Sequence, residues 1–231
     1  MRALSALPVL LGLALICSTA CVHVGQQQKD PWRLFTVSPL PEAEQVKTSR
    51  SSQGTAPPAI GVGPIYLSGY LDQDQIVTRI SQNRLTLSEN ARWAEPLADN
   101  IAHVMAQNLS LLLQPNQVIA YPWPGQERPT YQLAIEVLSF ETDTAGRASL
   151  AARWVLHDVA TRQTIAEKEV RLTASASGST TEQSVASLSK VLGDFSVGIA
   201  SVIRELVQAD STQSAVARER SEGQDLTAPT Y

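Results

Sequence analysis

The chain has 231 residues, 43% of them hydrophobic and 17% charged, with a formal net charge of −4 at pH 7. A mildly acidic chain presents no electrostatic footprint for nucleic acid, which calls for a basic face. The length exceeds one typical domain, and the excess has the composition of extended ends rather than of a second core.

The first elements read as an export signal. Met1 and Arg2 give a short basic start, and Ala3 to Ile16 is uncharged and mostly apolar. That run is shorter than the roughly 20 residues a membrane-spanning helix needs. With its basic flank and the small residues Ser18, Thr19 and Ala20 behind it, it has the form of a secretory leader. Cys21 follows. Cleavage before it would take away Cys17, leaving Cys21 with no partner in the mature chain. An unpaired cysteine in an exported protein needs a reason. Acylation of its thiol by diacylglycerol, and of its freed amine by a further acyl chain, supplies one and gives a stable anchor. Residues 1–20 are therefore read as a lipoprotein signal peptide and Cys21 as the lipidation site. Val22, rather than Asp, after the cysteine directs sorting to the outer membrane.

Residues 21–59 are read as a lipid-anchored segment with one strand over 33–37 and a linker rich in Pro, Ser, Gln and Glu from Pro39 to Pro58. Such composition buries too little surface to offset ordering entropy. One α/β domain is expected over 60–208, and a disordered tail over 209–231. Ile60, Val62, Ile65 and Leu67 make a short strand broken by Gly63 and Pro64. Ile76–Ile80 and Arg84–Leu87 pair as a hairpin around Ser81, Gln82 and Asn83. Pro96 suits the first turn of a helix. Leu97, Ile101, Val104, Met105, Leu109 and Leu112 share one face of it, and Pro115 and Asn116 stop it. Val118–Tyr121 is a short strand. Three longer strands follow: one alternating through Tyr131, Leu133, Ile135 and Val137, one through Leu150, Ala152, Trp154 and Leu156, and one over Thr164–Thr173. Short loops at Ala145–Gly146 and Ala160–Thr161 allow hairpins. Ser179 with Glu182 fits a capping box. Val185, Leu188, Leu192, Phe195, Ile199, Val202 and Leu206 then form a helical stripe. The expected fold is an α/β two-layer sandwich, a largely antiparallel or mixed sheet with two main helices on one face.

Two runs carry a family resemblance: Tyr70-Leu71-Asp72-Gln73-Asp74-Gln75-Ile76-Val77-Thr78-Arg79, and Asn90-Ala91-Arg92-Trp93-Ala94-Glu95-Pro96-Leu97. With Phe140, Leu150–Leu156 and the aromatic strand Trp32–Val37, they resemble the PqiC-type auxiliary lipoproteins of ABC-type transport systems, over most of residues 32–208. The family commonly has a Tyr pair where this chain has Trp32 and Phe35. The resemblance implies a non-catalytic partner of an MCE-domain protein. It would be anchored on the periplasmic face of the outer membrane, dock the distal end of a lipid conduit, support envelope integrity, and assemble as a homo-oligomeric ring.

Individual residues keep open readings. Tyr70 and Leu71, after the turn-like Ser68–Gly69, either anchor an interface or cover the core edge. Asp72 and Arg79 join them as interface candidates. Arg79 can pair with Asp72, with Asp74, with a neighbouring subunit, or stay solvated. Arg92, Trp93, Glu95 and Pro96 form a structural motif ahead of the helix. Trp93 packs beneath it, Glu95 suits its positive end, and Arg92 bonds Glu95 or a sheet carbonyl. His23, His103 and His157 have no metal-ligand spacing. Glycine-framed nucleophile and phosphate-loop motifs are missing from the sequence. The carboxylates Asp72, Asp74, Asp99, Glu136, Glu141 and Asp143 cannot be placed across a substrate. No enzyme, metal or soluble cofactor is expected. A monomeric lipid- or lipopolysaccharide-binding lipoprotein seated in an outer-membrane β-barrel is the other reading, and a periplasmic enzyme a third.

Overall fold

The computed structural model describes residues 31–41, 58–113, 117–123, 128–175 and 178–225, with side chains in the last helix described to Leu206. The leader, Cys21, His23, most of the linker, the stop at Pro115–Asn116 and the final residues of the tail lie outside the described residues. From Trp32 onward the chain forms one unit.

Its elements are β1 (Arg33–Phe35), β2 (Ile60–Leu67), β3 (Gln75–Ser81), β4 (Arg84–Trp93), α1 (Leu97–Leu112), β5 (Val118–Ala120), β6 (Tyr131–Asp143), β7 (Ala148–Asp158), β8 (Thr164–Ala174) and α2 (Thr181–Asp225). The strands make one mixed sheet of eight. Its spine is β6. One edge of β6 runs antiparallel to β7, and β8 lies outside β7. The other edge is shared. β2 pairs parallel with its first part, from Tyr131 to Val137, and carries β5 outside it. β3 pairs parallel with its far end through Thr78↔Thr142 and Arg79↔Asp143, and carries β4 and then β1.

Alternation explains the spine. Leu133, Ile135 and Val137 sit opposite Leu156, Trp154 and Ala152, and all six are buried. A register shift between Val137 and Ser139 inserts an extra residue, so Phe140 faces the core although its number breaks the odd sequence. The β6–β7 turn needs a residue at positive φ and uses Gly146, at φ 80°. Helices α1 and α2 pack on each other, α1 against β2 and β5 and α2 against β6, β7 and β8. Leu97, Ile101, Val104, Met105, Leu109 and Leu112 of α1 are buried, as are Val185, Leu188, Leu192, Phe195 and Ile199 of α2. Thr181–Leu206 is long and apolar enough to cross a membrane, but 56% of its most apolar window is buried inside the fold. It is a core helix.

Apart from shifts of a single residue at strand ends, five features differ from the expectation. β1 ends at Phe35, not at residue 37, because the chain turns off toward the helices. β2 runs unbroken through Gly63 and Pro64 with a shift in register between Val62 and Ile65. β4 continues to Trp93. Its polar middle, Ser88-Glu89-Asn90, hides the strand, and an irregularity separates the pairs Val77↔Leu87 and Gln75↔Arg92. The capping box lies one residue later than expected. The Gln183 N–H donates to Thr180 Oγ1 at 3.3 Å and the Thr180 N–H donates to Gln183 Oε1 at 3.1 Å. Finally, α2 does not stop at Gln208 but reaches Asp225. Ala, Gln, Arg and Glu are good helix formers, and extending an existing helix needs no new nucleus, so polar composition alone misplaced that end.

Replacing Thr180 by Ala should lower stability by about 1 kcal/mol, the usual worth of a side-chain N-cap. A urea titration checks this: the midpoint should fall while the slope stays constant.

Candidate functional site

The tightest polar constellation is built on Glu141, near the end of β6. Its side chain is only 2% exposed. Strand alternation puts it on the face opposite Phe140, the same side as Asp143, whose partner across the β3–β6 pairing is Arg79. Arg79 closes on it from there, with Nε donating to Glu141 Oε1 at 2.7 Å and Nη2 lying 2.6 Å from the same oxygen. The Tyr70 hydroxyl stands 2.9 Å from Oε2 and 3.2 Å from the Leu138 carbonyl. The Phe140 N–H donates to Oε2 at 2.9 Å. Arg79 Nη1 also donates to the Gln82 carbonyl at 3.1 Å. Burial, together with the hydrogen bond to Glu141, pushes the Tyr70 phenol well above its ordinary range. The hydrogen bond to Glu141 likewise raises Arg79, against the opposing effect of burial.

This arrangement redistributes the residues expected at an interface. Tyr70 is half-buried and bonded inside the fold, Leu71 is fully buried in the core, and of the four interface candidates Asp72 alone is exposed. Arg79 pairs with neither Asp72 nor Asp74 but with Glu141. The Tyr-Leu…Arg motif is therefore a fastening between the β2–β3 loop, β3 and β6.

The second motif serves the other end of that limb. Trp93 is buried, and its N–H donates to the Asp74 carbonyl at 2.7 Å. Arg92 bonds neither Glu95 nor a sheet carbonyl. Its guanidinium carbon lies 4.0 Å from the centroid of the Trp32 ring, and Nη1 is 3.8 Å from Asp74 Oδ2. Pro96 is the N-cap of α1 and leaves the cap without a side-chain bond. Glu95 sits beside that first turn, where Oε1 accepts from Asn100 Nδ2 at 2.8 Å and Oε2 faces His103 Nδ1 at 3.6 Å.

A third feature escaped the sequence reading. The segment after β1, Thr36–Leu40, crosses the helical layer as a strap. The Val37 N–H donates to Asn100 Oδ1 at 2.8 Å, the Ser38 N–H to Ser189 Oγ at 3.0 Å, and the Leu40 N–H to Asn108 Oδ1 at 2.7 Å. Asn108 Nδ2 donates to Ser196 Oγ at 3.0 Å, which ties the two helices together under the strap. Leu40 lies against the bare backbone of Gly193, where an added Cβ would meet it at 2.6 Å. Beside the strap, a groove of about 420 Å³ opens between Pro39, Leu40, Leu111 and Val118. The signal available was two asparagines eight residues apart inside an apolar stripe. A buried amide needs partners, and a passing backbone supplies them.

Other carboxylates pair on the surface. Arg153 lies 3.6 Å from Glu136 and 3.4 Å from Glu169, and Arg171 lies 2.8 Å from Glu169. Burial pushes the Asp143 carboxyl up, but N–H donors from Arg147 and Ala145 with the Arg147 guanidinium outweigh it and hold it below the usual range. Bonds from the Thr161 N–H and hydroxyl do the same for Asp158. Among the described residues no group of three or more His, Cys, Asp or Glu side chains could hold a metal ion.

Residues 39–200 match the family described as ABC-type transport auxiliary lipoprotein component, in agreement with the PqiC-type resemblance. A crystal structure of an uncharacterised protein superposes with a TM-score of 0.61 at 20% identity, covering 75% of this chain and 99% of that one. A protein from Xanthomonas campestris, of family DUF330, superposes with a TM-score of 0.57 at 19% identity, covering 78% and 99%. At such identities the likeness speaks for the fold. No curated protein matches the chain in sequence.

Two measurements probe the Glu141 centre. Removing Arg79 leaves a carboxylate stranded in the interior, whereas removing the Glu141 charge leaves an Arg79 side chain that is 34% exposed and can reach water. Arg79→Ala should therefore cost about 3–5 kcal/mol, and Glu141→Gln only about 1–2 kcal/mol, both read by urea unfolding. The Tyr70 phenol has its folded pKa raised. Below about pH 10 both folded and unfolded forms keep the proton and its contribution is intact. Above that the unfolded chain ionises first, so stability falls as pH rises. Tyr70→Phe should lose this part of the alkaline decline in urea midpoints taken from about pH 9 to about pH 11.

Proposed function

This chain belongs to the family of ABC-type transport auxiliary lipoprotein components, and we propose that it is a non-catalytic, outer-membrane lipoprotein that docks the distal end of an MCE-protein conduit. Diacylglycerol and an N-acyl chain on Cys21 hold it to the periplasmic face of that membrane. Identical subunits assemble there as a ring that supports the envelope. The family match over residues 39–200 carries the reading.

The geometry is in keeping with it. The groups that could do acid–base chemistry near the motif, Glu141, Arg79 and Tyr70, spend their bonding capacity on one another. With three of the four expected interface residues turned inward, subunit and partner contacts fall on other surfaces. Asp72 remains available to them.

The test starts from the full chain made in a diderm host. Intact mass should show a triacylated Cys21 at the N-terminus, and Cys21→Ser should move the protein from the outer-membrane to the soluble periplasmic fraction. Crosslinking in cells followed by purification should recover an MCE-domain protein, and native mass spectrometry a discrete oligomer. A monomer crosslinked to an outer-membrane β-barrel would overturn the conduit reading while leaving the anchor intact.

A further inference from the structure

The chain enters its fold at Trp32, and the entry point is unusual in what it shows to solvent. Trp32 is 62% exposed and Leu34 is 64% exposed, the two highest values among the exposed large apolar side chains of the described residues. Both belong to the edge of the sheet, where β1 pairs only with β4. Successive strand residues point to opposite faces, so Trp32 and Leu34 project together, while Phe35 packs against the core and Ala91 and Trp93 beside it are buried. Arg92 is the register partner of Leu34. Its side chain is 19% exposed, its Nε is buried without a hydrogen-bond partner, and its guanidinium lies under the Trp32 ring at 4.0 Å. A largely desolvated cation thus serves as a platform that fixes an indole in water.

We propose that Trp32 and Leu34 form a membrane-contact patch that enters the boundary between headgroups and acyl chains of the bilayer holding Cys21. This rests on the acylated-cysteine reading. Trp32 lies eleven positions after Cys21, a tether of at most about 40 Å when fully extended. Whatever other face meets a protein partner, this one is kept beside the lipid. Tryptophan suits that layer, with an apolar body and an N–H that stays wet. Arg92 holds the ring rigid at the sheet edge, so insertion orders little that was free. The acyl chains supply affinity, and the patch sets orientation, presenting the domain to the bilayer by its β1 edge.

The experiment uses the mature chain, Cys21–Tyr231, coupled through its one remaining cysteine to a maleimide-bearing phosphatidylethanolamine. The vesicles are of phosphatidylethanolamine and phosphatidylglycerol, with or without brominated acyl chains. Subtracting the emission of Trp32→Phe isolates Trp32 from the other tryptophans, and circular dichroism establishes that the variant is folded. Brominated vesicles should quench the Trp32 component at least twofold, and Leu34→Glu should weaken that quenching. A Trp32 component equally bright on brominated and plain vesicles overturns the proposal. So does quenching that ignores Leu34→Glu. Because the coupling supplies the tether chemically, either result stands apart from natural acylation, which the intact mass of protein from cells reports separately.

Discussion

A carboxylate with almost no access to water organises one limb of this molecule. Burying a charge costs several kcal/mol unless partners replace its hydration. Glu141 finds its replacements in three places: the Phe140 N–H on its own strand, the Tyr70 hydroxyl on the β2–β3 loop and the Arg79 guanidinium on β3. The limb formed by β3, β4 and β1 joins β6 through just the pairs Thr78↔Thr142 and Arg79↔Asp143. So short a ladder is weak by itself. The ion pair beside it fixes the register, and through β4 that register places Trp93 in the core and Arg92 beneath Trp32. The register shift in β6 belongs to the same scheme. By moving Phe140 onto the core face it sends Glu141 to the other side, where Arg79 waits.

Much of the architecture could be read from local pattern, because burial acts on residues near one another in the chain. The β6–β7 pair and both helical stripes follow from alternation and 3.6-residue spacing. What escaped is what depends on distant residues. Arg79 and Glu141 are 62 positions apart, and no spacing rule joins them, so sequence proximity points Arg79 to Asp72 and Asp74 instead. Tyr70 and Leu71 follow a turn-like Ser–Gly pair, which suggests exposure, yet Leu71 is as buried as the centre of β6. The strap was hidden for the same reason. Val37, Ser38 and Leu40 belong by sequence to a strand and linker, and their partners lie on two helices far along the chain. A fragment of the answer was nonetheless present in Asn100 and Asn108, polar residues where the α1 stripe would otherwise be apolar.

Edges are the other constraint on a sheet of this kind. β8 is an outer strand of 11 residues, long enough to invite pairing with another chain. Glu167, Lys168, Glu169 and Arg171 line it, and its salt bridges reach inward across β7 to Glu136. Charges along an edge make the approach of a second strand costly. The β1 edge is managed differently, by being only three residues long, although it carries the exposed Leu34. The β8 and β1 edges of one sheet therefore differ in chemistry, charged along one and apolar at the other.

The strap also determines how the molecule would respond to tension. A pull along an N-terminal tether first meets β1, three residues in parallel register with β4, and next the three backbone N–H bonds to Asn100, Ser189 and Asn108. Both can peel away while β2 onward keeps its pairing. The freed chain from Trp32 to Ala59 would then pay out to roughly 95 Å at full extension. Tension from the N-terminal side would thus be taken first by β1 and the strap, and would load the pairing from β2 to β8 only after both had released.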